Sequence, residues 1–86
     1  MVQIMLLGQQ HLWLCGLIQM IKSHPRLTVM GQGGFESIGA RIARGEYPQL
    51  LIIDLTCEVG RGLGMIDRLR KTLPEISIAG LVKPSS

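Results

Sequence analysis

Leu50-Leu51-Ile52-Ile53-Asp54 decides how this chain is read. Four aliphatic residues in a row, with no polar alternation, describe a strand covered on both faces, as in a parallel sheet lying between helices. Pro48 opens the segment, and the carboxylate of Asp54 ends it. Working outward, Val2 to Leu7 is a second nearly continuous apolar run, closed by Gly8. From about His11 to Ser23 the period changes. Leu14, Leu17, Ile18 and Ile21 fall at i, i+3, i+4 and i+7, one stripe of a helix that Pro25 stops. Leu27 to Met30 reads as a short strand and Gly31-Gln32-Gly33-Gly34 as a flexible turn. Glu36 to Arg44 reads as a helix with Ile38 and Ile42 four apart, ended by Gly45. Past Asp54, a loop containing Gly60, Gly62 and Gly64 leads to a helix lined by Met65, Ile66 and Leu69, which Pro74 breaks. Ile76 to Val82 is the last strand.

The order is βαβαβαβ, which implies an α/β fold with a parallel sheet and helices on both faces. Ligands and chemistry in such sheets sit at the carboxyl ends of the strands. The positions that matter are therefore Gly8, Gln9 and Gln10, then Gly31 to Gly34, then Asp54 to Glu58, and the chain near Val82.

Composition narrows the function. Of 86 residues, 47% are hydrophobic and 17% charged, which is a folding composition rather than a disordered one, and one small domain is all the length allows. With only Trp13, Phe35 and Tyr47 as aromatics, the core is expected to be aliphatic. No apolar run reaches the roughly 18 residues of a membrane span, and there is no signal-peptide pattern, so a cytoplasmic protein is expected. The net charge of +3 is spread along the chain. Only Arg68, Arg70 and Lys71 cluster, beside Asp67, so no direct nucleic-acid binding by this segment is expected. Cys15 and Cys57 are too few for a disulfide framework or a zinc site and read as buried or half-buried thiols. No carboxylate precedes Glu36, His11 and His24 lack companions at ligand spacing, and Gly31–Gly34 lacks the G-x-G-x-x-G spacing. The serines have no base beside them, so no enzyme is expected.

Pro48, Asp54-Leu55, Gly62, the turn from His11 to Gly16, Pro25, Val29-Met30-Gly31, Leu69-Arg70 and Pro74 together resemble a response-regulator receiver domain. The closest likeness is to receivers of transcription regulators with a LuxR-type helix-turn-helix, and it runs from Ile4 to Val82. The resemblance implies a flavodoxin-like, three-layer fold with sheet order 2-1-3-4. Residues 1–86 would be a single, incomplete receiver-like domain that stops before the family's fifth strand. It also implies that Asp54 sits on the family's phosphoacceptor, whose carboxylate takes a phosphoryl group from a histidine kinase. The family's acidic pair, which helps hold a divalent cation, falls on Gly8 and Gln9, neither of which is a carboxylate. Its Ser or Thr switch falls on Val82, or on Leu81 if the register slips by one; neither can donate a hydrogen bond. The family's strand-borne lysine has no counterpart, since Lys83 follows the fourth strand.

The expected function is therefore a degenerate receiver, a regulatory and dimerisation module without conventional phosphorylation or a bound metal. Leu12-Trp13-Leu14-Cys15, apolar at every position where a helix needs about half, is the expected interface. A homodimer is expected, with exchanged elements as one form, and a DNA-binding domain is expected in a longer parent chain. Two other readings stay open. One is an active receiver, phosphorylated on Asp54 with weak Mg²⁺ dependence, with Glu58 as a replacement ligand. The other is a small-molecule sensor using the less anionic cleft of Gly8, Gln9, Asp54 and Val82.

Overall fold

The computed structural model describes residues 1–8, 11–56 and 59–82, with the backbone alone at 11–14. It consists of β1 (Val2–Leu7), α1 (His11–Lys22), β2 (Leu27–Gly33), α2 (Phe35–Ala43), β3 (Leu50–Asp54), α3 (Val59–Thr72) and β4 (Ser77–Leu81). The four strands form one all-parallel sheet in the order β2-β1-β3-β4. The expected α/β architecture and strand order are those found.

Two separate apolar clusters make the layers. Met5, Leu7, Leu51 and Ile53 project from one face of the sheet onto Ile38 and Ile42 of α2 and Leu69 of α3. Ile4 and Leu6 project from the other face onto Ile18 and Ile21 of α1. Because the side chains of a strand alternate between faces, the apolar runs Ile4–Leu7 of β1 and Leu50–Ile53 of β3 supply both layers at once. Each fully buried Leu or Ile stabilises the fold by about 1.5–3 kcal/mol, and the buried hydrophobic residues are aliphatic throughout.

Three expectations are corrected. First, β2 does not end at Met30. It continues through Gly33, because Met5, Leu6 and Leu7 pair with Gly31, Gln32 and Gly33 after a bulge that offsets the register between Ile4 and Met5. The Arg41 guanidinium folds over Gly31 into the space a Cβ would take, and a side chain at 31 would displace it. Only Gly34 is left as the turn, at the N-terminus of α2. Second, Gly60, Gly62 and Gly64 lie within α3, which starts at Val59, and not in a loop. Third, Cys15 is exposed. It lies around the helix from the buried stripe of Ile18 and Ile21. Cys57 lies outside the described residues. Gly45 does end its helix as expected, at a φ of +86° that favours glycine.

Candidate functional site at the carboxyl edge of the sheet

The strand order reverses between β1 and β3, so the chain leaves these two neighbours in opposite directions, the place where sheets of this kind bind ligands at their carboxyl ends. Leu7 pairs with Ile53, which sets Gly8 beside Asp54, and Asp54 pairs in turn with Leu81 of β4. Gly8 donates its N–H to the Gly33 carbonyl at 2.9 Å, and Leu55 donates to the Leu81 carbonyl at 2.8 Å. The ends of all four strands are thereby tied together. Of the expected site residues, Gly8, Asp54 and the Leu81–Val82 strand end are brought to this edge. Gln9 and Glu58 lie outside the described residues, as do Lys83 and the side chains of Leu12, Trp13 and Leu14.

Asp54 is only 3% exposed and is the one buried polar or charged residue among those described. Its Oδ1 accepts two hydrogen bonds from Thr56, one from the backbone N–H at 2.8 Å and one from the hydroxyl at 2.5 Å. This is an Asx turn reinforced by a side chain, and it gives the buried charge donors in place of water. Thr56 escaped the sequence reading. Its signal was the Asp-x-Thr spacing, which any Asx turn shares.

Among the described residues, the rest of the edge is chemically sparse. Gly8 is buried and has no side chain, while Val82 is 70% exposed and purely apolar. Among the described residues no group of three or more His, Cys, Asp or Glu side chains converges. A Mg²⁺ ion draws on charged oxygen ligands and near-octahedral geometry. With one carboxylate, itself engaged by Thr56, the described residues do not fit such an ion. Nearby, Arg61 stacks over the Phe35 ring at 4.7 Å from its centroid, joining the starts of α2 and α3.

The chain matches no family model, and no curated protein matches it. Among the described residues, no helix is long and apolar enough to cross a membrane.

Proposed function

We propose that this chain is a degenerate receiver, the regulatory and dimerisation module of a two-component-type transcription regulator in the bacterial cytoplasm. The carrying observation is the chemistry of the sheet's carboxyl edge. Asp54 is present and buried at the strand end, but Gly8, Leu81 and Val82 at the neighbouring strand ends bring no carboxylate or hydroxyl, and the hydroxyl that does reach Asp54, that of Thr56, comes from its own loop rather than from the end of β4. A phosphoryl switch needs a cation to neutralise the phosphoryl oxygens and a donor that follows them. Here Oδ1 of the carboxylate already accepts two hydrogen bonds from Thr56. What the fold retains is a rigid platform for association. The surface this reading assigns to it is the apolar start of α1 at Leu12–Cys15.

The test is intact-mass measurement after incubation with acetyl phosphate and Mg²⁺, paired with light scattering on a sizing column. The expected result is no added mass and a dimer indifferent to both reagents. Gain of one phosphoryl group, abolished in Asp54→Asn, together with dimerisation only in the presence of the phosphodonor, would overturn the reading and make Asp54 a live acceptor.

A further inference from the structure

Helices α2 and α3 cover the same face of the sheet, and a slot runs between them. Gly39 of α2 and Met65 and Arg68 of α3 wall a cleft of about 460 Å³, with the buried Ile42 and Leu69 beneath. The same three wall residues also line a second cleft of about 370 Å³, which continues the slot to Gly64 and to the stack of Arg61 on Phe35. The slot is open because Gly39 and Gly64 carry no side chains, and a Cβ on either would meet no neighbouring atom within 4 Å. Arg68 stands at the junction of the two clefts and is the one charged side chain lining the larger. No carboxylate lines either cleft, and Asp67, next to Arg68 in sequence, pairs with Lys71 at 3.1 Å.

We propose that this slot binds a free amphipathic monoanion, an unbranched aliphatic chain ending in a carboxylate. The head pairs with the guanidinium of Arg68, whose planar fork matches a carboxylate, and the tail lies along Met65, Ile42 and Leu69. The lining selects the sign, because an arginine without an opposing carboxylate attracts an anion and repels a cation. It also selects a single charge, since Arg61 at the far end is engaged on Phe35. Helical side chains lean toward the helix N-terminus, so Arg68 presents its charge on the Gly64 side and leaves the last turns of α2 and α3 to the tail. Shape selects the tail. A helix with its side chains is about 10–12 Å across and would span both walls, whereas an extended chain enters between them. The larger cleft has the size and the mostly apolar lining of small-molecule sites, which run from about 300 to 1,000 Å³. The proposal is independent of the dimerisation reading above.

Titration of the isotope-labelled protein with decanoate, kept below its micelle concentration, reads binding at the Gly39, Gly64 and Met65 amides by NMR. These should shift together and saturate. Acetate, which lacks the tail, and decylamine, which reverses the head charge, should leave them in place. Arg68→Gln should raise the dissociation constant about fivefold or more, and Arg68→Lys should retain part of the affinity. Gly39→Leu, whose Cβ meets no neighbour, should fill the slot and abolish binding. The wild-type titration needs no variant, which keeps the test decisive if a substitution unfolds the chain. Equal shifts with decylamine, unchanged affinity in Arg68→Gln, or decanoate shifts confined to other residues would each overturn the proposal. Shifts at the same glycines on raising protein concentration alone would give the slot to a second copy and overturn it as well.

Discussion

Thr56 closes onto Asp54 from two residues away, giving its backbone N–H and its hydroxyl to the same carboxylate oxygen. The carboxylate lies among apolar strand ends at 3% exposure, so these donors replace lost hydration. Thr56→Val keeps the shape and the backbone bond but removes the hydroxyl. It should lower unfolding free energy by about 1.5–3 kcal/mol, the range for a hydrogen bond to a charged group. Urea denaturation checks this, and a loss under about 0.5 kcal/mol would mean that the hydroxyl bond is not maintained in solution.

Gly62 and Gly64 share a helix but not a fate. A Cβ on Gly62 would come within 2.5 Å of the Leu55 side chain, whereas one on Gly64 meets nothing within 4 Å. Gly64→Ala should therefore stabilise α3 by about 0.5–1 kcal/mol through helix propensity alone. Gly62→Ala should gain no such benefit and destabilise, because Leu55 must move out of the core. The two thermal midpoints should shift in opposite directions.

Glu46 binds two arginines before β3, with Arg41 Nε on Oε1 and Arg44 Nε on Oε2, each at 3.0 Å. The hydrogen bond from Arg41, then that from Arg44, holds its carboxyl below the ordinary value of 4.5. In the unfolded chain the group takes up its proton at the higher, ordinary value. The stability this group contributes is thus fully present above pH 4.5 and is lost as pH falls through the folded value. Denaturation midpoints of the wild type and Glu46→Gln should differ at neutral pH and converge in acid. The difference should shrink in high salt, since the pair is solvent-facing.

Cys15 stands free and exposed on α1. It should alkylate with iodoacetamide under native conditions at the rate of an ordinary accessible thiol, located by peptide mass mapping. If copies join through the start of α1, the reaction should slow with increasing protein concentration. A rate indifferent to concentration would remove Cys15 from the interface.

Much of this was legible along the chain. Val2–Leu7, broken only by Gln3, and Leu50–Ile53 read as strands covered twice, because their aliphatic residues run on without polar alternation. Ile38 and Ile42, spaced four apart, named the face of α2 that is in fact buried. Asp54, ending its apolar run, marked the carboxyl edge before any coordinates.

The rest required tertiary contacts. Glycines favour turns by local preference, so Gly31–Gly33 and Gly60–Gly64 read as loops. Pairing with β1 instead extended β2 through the first set, and packing of α3 against Leu55 enclosed Gly62 in a helix. Cys15 was read as buried because its residue type usually is; the orientation of α1 on the sheet turned it outward. Local sequence determined period and polarity, while the strand order was legible only through the resemblance to the receiver family. Which backbone groups find partners, where β2 ends and which donors reach the buried Asp54 carboxylate depend on residues distant in the chain or on loop geometry, and only the assembled sheet decides them.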